Sequence, residues 1–242
     1  MKIFPREKEH SRNDIYNSIF GHAKNQRVLD FGGNSGNLLY FSGGMIKDDD
    51  YVCVDLDQEA LEQGKKEYPN AHWVRSHMYH PCYNPYGELD TPFPELPFDS
   101  FDNIFSYSIF SHSDLNQLVD TIIWMQRFNP NIIAHSILLT TDTKIMNWFY
   151  SRRISEYGNC IDFGNDVIEC DSTISIIDNS TIIKGEHRLP KTKCNHLITF
   201  YDKEYLLKTL KEYDINAEVY SPSNSFQSYL VIKNAIIRPQ IP

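Results

Sequence analysis

Apolar and polar positions along this chain repeat with two periods, and the two take turns. The segments "RVLDF", "YVCVDLD" (Tyr51 to Asp57), "AHWVRSH", "FDNIFSYS" (Phe101 to Ser108) and "NIIAHSILLTTD" are short, apolar and rich in β-branched or aromatic residues, which predicts five buried strands. Between them the apolar positions recur at helical spacing. "IYNSIFGHA" follows the N-cap candidates Asn13 and Asp14, "SGNLLYF" begins a helix beyond a glycine turn, and "DQEALEQGKKEY" is a helix that Asp57 can cap. After the fourth strand, Leu115, Leu118, Val119, Ile122 and Met125 mark one more helix face. Strands separated by helices require crossover connections, so the pattern predicts an α/β, doubly wound and mostly parallel sheet with helices on both faces.

The alternation breaks near the C-terminus. After "DKEYLLKTLKEY", a helix begun by Asp202, two strand candidates, "INAEVYS" and "FQSYLVIKNAII", follow one another across the turn-forming "PSNS". So short a link forces antiparallel pairing, and the sheet is expected to end in a β-hairpin. Residues 144–197 stand outside this plan. Within them "STISIIDNSTIIKG" reads as a strand pair turning at Asp178 and Asn179. A connector of that length at the carboxyl edge of a sheet is expected to be a β-rich lid, with a decorative hairpin or a homodimer contact as its alternative use. The expected domains are thus 1–143 with 198–242, and an inserted cap at 144–197.

Composition narrows the partners. Over 242 residues, 41% are apolar and 23% charged, and the formal net charge is −9. These values describe an ordinary globular chain and count against a nucleic-acid partner, which needs clustered Lys and Arg. No apolar run approaches the roughly 20 residues that cross a bilayer, and "MKIFPREKEHSRND" lacks the apolar stretch of a signal peptide, so a cytoplasmic, membrane-free protein is expected. Cys53, Cys82, Cys160, Cys170 and Cys194 are scattered and form no CxxC pair, so reduced thiols are expected. A metal set drawn from Cys160, Cys170, Cys194, His187 and His196 fits no familiar zinc spacing, and no metal is expected.

The stretch "RVLDFGGNSGNLLYF" carries the chemistry. Its first strand ends with Asp30, followed at once by Gly32, Gly33, Asn34, Ser35 and Gly36. A glycine turn made for a phosphate is poorly served by an adjacent carboxylate, which repels the anion that backbone N–H groups bind. The dinucleotide fingerprint spaces its glycines at relative positions one, three and six, whereas these fall at one, two and five. A second acid, Asp55, closes the next strand. Because parallel sheets bind ligands at the carboxyl ends of their strands, Asp30, Asp55, His77 and the Ser106-Tyr107-Ser108 end of the fourth strand are the positions to weigh.

On these residues the chain resembles the class I S-adenosylmethionine-dependent methyltransferases. "VLDFGGNSG" resembles the family's first motif, an acid followed by G-x-G-x-G, with Asn34 in place of the middle glycine; asparagine tolerates positive φ better than other side chains. "YVCVDLD" resembles the second motif, and "LPFDSFDNIFSYSIFSH" the fourth-strand motif. The resemblance runs from about Arg27 to Asp142 and implies a Rossmann-like, seven-stranded sheet ending in a hairpin. It also implies S-adenosylmethionine as cofactor, S-adenosylhomocysteine as product, and methyl transfer to a hydroxyl or amine of a small molecule such as a sugar, nucleotide-sugar or secondary-metabolite intermediate.

Each site residue then has an implied role. Asp30 attracts the sulfonium and ammonium of the methionyl end. Gly32, Gly33, Asn34 and Gly36 let the backbone approach the cofactor, and Asp55, beside Leu56, accepts the ribose hydroxyls. His77, next to Met78, stands where the family often has an acid for the adenine amine. Ser106 and Tyr107 line the end of the fourth strand. His112 is the candidate general base, with Asp114 to orient it and Tyr107 as a further catalytic candidate; its alternative is to cap or pack the following helix. His80 is a weaker candidate, and Arg152 and Arg153 are candidates to grip an anionic acceptor. "NPYG", Asn84 to Gly87, looks like a motif of DNA amino-methyltransferases but precedes the fourth strand, so it reads as a turn. Two other functions compete: a nicotinamide-dependent oxidoreductase or epimerase on the same kind of sheet, and a non-catalytic binding protein that keeps the methyltransferase fold.

Overall fold

The computed structural model describes residues 16–21, 25–80, 84, 86–88, 91–141, 167–170, 173–176, 186–189, 198–222, 225 and 227–233. The strands are β1 (Val28–Phe31), β2 (Tyr51–Asp55), β3 (His72–Arg75), β4 (Asn103–Ser106), β5 (Ile132–Leu139), β6 (Val167–Cys170), β7 (Thr173–Ile176), β8 (Glu186–Leu189), β9 (Ile198–Tyr201), β10 (Ala217–Tyr220) and β11 (Ser228–Lys233). The helices are α1 (residues 16–20), α2 (Asn37–Phe41), α3 (Gln58–Glu67), α4 (Leu115–Gln126) and α5 (Lys203–Glu212).

Strand order in the main sheet is β10-β11-β5-β4-β1-β2-β3. β1 to β5 run parallel, while β11 lies antiparallel between β5 and β10. The order reverses between β1 and β4, where two crossovers depart to opposite sides and leave a crevice beyond the strand ends. The expected terminal hairpin is present as β10 and β11.

Period-two alternation puts each strand's side chains into one of two cores. On one face Leu29, Val54, Ile104, Ile133, Ile137, Leu230 and Ile232 pack against Leu118, Ile122 and Met125 of α4 and Leu206 and Leu210 of α5. On the other, Val28, Tyr51, Cys53, Phe105, Tyr229 and Val231 pack beneath Tyr16 and Phe20 of α1, Leu38 and Leu39 of α2 and Leu61 of α3. Each fully buried side chain of this size stabilises the fold by about 2 kcal/mol. The helix starts follow the sequence: Asp57 accepts from Glu59 and Ala60 N–H, and Asp202 accepts from Tyr205 N–H at 2.8 Å.

Thr173–Ile176 forms a strand and pairs antiparallel with Val167–Cys170 on its N-terminal side, while the expected turn at Asp178 and Asn179 lies outside the described residues. The expected seven-stranded order is present, and beyond it β9 adds in parallel to the carboxyl end of β5 (Leu138 opposite Phe200) while β8 pairs antiparallel with β9. "ITFY" is too short to stand out by periodicity and is held by its neighbours. No helix among the described residues is long and apolar enough to cross a membrane.

Candidate active site at the strand ends

The glycine turn leaves β1 through a run of left-handed residues. Gly32 has φ 79, Asn34 φ 55 and Gly36 φ 85, so the asparagine adopts the conformation that a middle glycine would otherwise supply. Its backbone N–H donates to Asp55 Oδ2 at 2.8 Å, and Asp57 N–H donates to Asp55 Oδ1 at 2.9 Å. One carboxylate therefore ties the β1 turn to the β2 turn. Burial raises the Asp55 pKa, and the backbone N–H groups of Asp57, Asn34 and Leu56 oppose that shift. The carboxylate keeps lone-pair capacity for a ligand hydroxyl.

Asp30 sits beneath this turn, 3% exposed. Its Oδ2 accepts the Tyr51 hydroxyl at 2.6 Å, and a methyl group built on Gly33 would come within 2.5 Å of that same oxygen. Gly33 is thus the thin lid over a buried acid. Gly32 and Gly36 are crowded as well: a Cβ there would meet Ile109 Cδ1 at 2.0 Å and Trp73 Cη2 at 2.8 Å. Trp73 fits because α3 carries Gly64 where its ring lies, and the indole N–H donates to Tyr68 O.

Leu56 follows Asp55 directly and is half-buried. His77 is exposed two residues past β3, and Met78 is half-buried. Both belong to a loop fold-back in which Glu88 N–H donates to His77 O and Asn84 Nδ2 donates to Met78 O. Asn84 to Gly87 closes as the expected turn, with Gly87 N–H donating to Asn84 O at 3.0 Å. His80 is half-buried and exchanges two backbone hydrogen bonds with Asn84.

The end of β4 is polar and locally strained. Ser106 is fully buried, its hydroxyl 2.8 Å from His135 Nδ1 on β5. Burial pushes the His135 pKa down to about 3, so the imidazole is neutral at physiological pH. Tyr107 is half-buried against the α1 side. Ser108 adopts φ 60; its N–H donates to Ser136 Oγ at 2.6 Å, and Gln227 Nε2 donates to its hydroxyl at 3.2 Å. A non-glycine residue held this way at a strand end is a common mark of a functional site. His112 is half-buried and closes the single turn Phe110–His112, which the Tyr201 hydroxyl pins by sharing its one proton between Phe110 O and Ser113 O, each at 3.0 Å. Asp114 caps α4 in a capping box, its carboxylate accepting from Gln117 N–H at 2.8 Å.

The fold thus brings Asp30, Gly32, Gly33, Asn34, Gly36, Asp55 and Ile109 together, and sets the Ser106 to His112 segment beside them. Tyr51, Trp73, Ile109, Ser136 and Gln227 were not singled out from the sequence. Tyr51 had one signal, since it shares the face of Asp55 by strict alternation; Gly64 inside a helix was the signal for Trp73. Arg152 and Arg153 lie outside the described residues, as do the side chains of Cys160, Cys170, Cys194, His187 and His196.

No protein-family model matches the chain, and no curated protein is significantly similar to it. Solved structures are. DesVI of Streptomyces venezuelae is similar with a TM-score of 0.55 at 12% identity, over 94% of this chain and 93% of that one. An S-adenosylmethionine-dependent methyltransferase from Mesorhizobium loti gives 0.56 at 12% identity, over 94% and 99%. CalS10 from Micromonospora echinaspora, an amino pentose methyltransferase of calicheamicin biosynthesis with bound S-adenosylmethionine, gives 0.54 at 12%, over 96% and 92%. Strand order, terminal hairpin and near-complete coverage agree: this chain has the class I S-adenosylmethionine-dependent methyltransferase fold.

Proposed function

We propose that the protein binds S-adenosylmethionine at the β1 and β2 ends and transfers its methyl group to a hydroxyl or amine of a small molecule. The observation that carries this reading is the pair of acids at the turn. Asp30 and Asp55 stand under and beside a loop whose residues 30–36 include no Lys or Arg, a donor set suited to a cation and to ribose hydroxyls and unsuited to a pyrophosphate. The glycine spacing speaks against a dinucleotide for the same reason. When bound, the cofactor supplies an activated methyl on a positively charged sulfur.

The chain's own residues do the rest. Asp55 accepts the ribose hydroxyls with its free lone pairs, and Asp30 supplies negative charge from below Gly33. The backbone at Gly32, Asn34 and Gly36 gives close approach, Leu56, His77 and Met78 flank the adenine side, and Ser106 and Tyr107 border the methionyl side. Ile109 and Phe110 exclude water from the neighbouring crevice, which strengthens every charge interaction inside it. His112 serves as the base that takes the acceptor's proton on its imidazole, while Asp114, through its cap, fixes where α4 and the preceding turn begin. Residues 144–197 cap the acceptor side, a placement supported by β9, which joins β5 at its carboxyl end. A net charge of −9 suits a neutral or cationic acceptor, and the amino pentose acceptor of CalS10 supports a sugar.

Calorimetric titration of the purified protein with S-adenosylmethionine, S-adenosylhomocysteine and NAD tests the reading. Binding of the first two is expected. Binding of NAD alone would overturn it in favour of an oxidoreductase, and cofactor binding without turnover on any sugar, amine or phenol would favour the non-catalytic protein.

A further inference from the structure

Tyr51 opens β2 at the far end of the strand from Asp55, yet it belongs to the cofactor end of the molecule through one contact. In the parallel register Asp30 lies opposite Cys53 and Tyr51 opposite Val28, so Tyr51 is two residues below Asp30 on the same face. A phenol is long enough to span that step. Its hydroxyl donates to Asp30 Oδ2 at 2.6 Å, within the range of a charge-assisted O–H to carboxylate bond. The ring is fully buried and meets Trp73 edge-on at 6.1 Å, which holds the hydroxyl at Asp30 and beside the Cys53 thiol. Trp73 in turn fills the space beside Gly36 and Gly64.

We propose that Tyr51 is the positioning residue of the cofactor site: its hydroxyl holds the Asp30 carboxylate against the underside of Gly33 as a fixed negative charge on which a sulfonium draws. This rests on the methyltransferase reading above. Tyr51 itself never meets the ligand; it acts through Asp30. Donation to the ionised carboxylate favours that form over the protonated one, and a phenol that cannot lose its proton keeps donating. Burial, then the nearby Asp30 charge, raises the Tyr51 pKa well above its ordinary value.

Several neighbours of Asp30 among the described residues do not share this role. Tyr16 of α1, pushed up to about 12 chiefly by burial, accepts a hydrogen bond from Asn103 Nδ2. Cys53 is raised well above its ordinary pKa by burial and then by Asp30 and Asp55, so it is a neutral thiol. Phe105 of β4 and Leu38 and Leu39 of α2 are apolar.

The test is Tyr51→Phe, which keeps the ring and its packing, titrated with S-adenosylmethionine and S-adenosylhomocysteine near neutral pH. The first ligand carries the sulfonium and the second does not, so the ratio of their affinities reads the charge beneath Gly33 and is insensitive to a fraction of unfolded protein. The variant is expected to lose about tenfold in that ratio near neutral pH. In an Asp30→Asn background, Tyr51→Phe should leave the ratio unchanged. Equal losses for both ligands, or an undiminished ratio effect in the Asp30→Asn background, would overturn the proposal. A wild type that binds neither ligand would instead overturn the methyltransferase reading, and the proposal with it.

Discussion

Gly32→Ala tests whether the packing of Ile109 over the glycine turn shapes the site. The substitution has two separable costs. The backbone at Gly32 has φ 79, where an L side chain costs about 1–2 kcal/mol. The new Cβ would also stand 2.0 Å from Ile109 Cδ1 and 2.4 Å from Cγ1, an overlap that must be relieved by moving a half-buried side chain, at about 1–3 kcal/mol. A total near 3 kcal/mol is therefore expected. The steric share depends on Ile109 and the backbone share does not. In an Ile109→Ala background, Gly32→Ala should cost only the backbone share, a coupling of about 1–3 kcal/mol. Urea unfolding of the four proteins, followed by circular dichroism and by the fluorescence of the three tryptophans, measures it. If the two substitutions add to within about 0.5 kcal/mol, Ile109 does not press on Gly32 and the account of the crevice fails.

Other outcomes follow from the same geometry. Asp55→Ala should weaken S-adenosylmethionine by about 2 kcal/mol in calorimetry, the scale of hydrogen bonds to a charged group, and an unchanged affinity would mean the ribose lies elsewhere. Because burial raises the Asp55 pKa above its ordinary 3.8, cofactor affinity should begin to fall at a higher pH on acidification than for an unburied carboxylate, as the accepting carboxylate is protonated. The raised value also makes Asp55 a burden on stability once it ionises: relative to the unfolded chain its contribution is best below the ordinary carboxylate range and is lost as pH rises through its folded pKa. His112→Ala should lower turnover far more than cofactor affinity, and full turnover would remove it as the base. Asp114→Ala should cost about 1 kcal/mol of stability through the lost cap. If it leaves turnover on the same acceptor untouched, orientation of His112 by Asp114 is excluded.

What could be read from the sequence is local in its physics. Asp57 and Asp202 cap helices because a carboxylate two or three residues ahead of free N–H groups satisfies them wherever the helix packs. Asn34 takes positive φ because its short polar side chain tolerates it, and the β10–β11 hairpin forms because the chain between the strands is too short for a crossover. Asp30 and Asp55 were legible as a pair of acids ending successive strands.

Tertiary structure decided the rest. Nothing near Asp30 in sequence says that its partner is a tyrosine 21 positions away, that Ile109 closes on Gly32, or that Gln227 reaches Ser108 across 119 positions. β9 is a strand because β5 offers it an open edge, and Thr173–Ile176 takes Val167–Cys170 as a partner. Such contacts depend on strand order and register, which are set by how two cores fill on either side of a sheet. Periodicity names the face on which a residue lies, whereas its neighbours on that face are chosen only when the whole chain has packed.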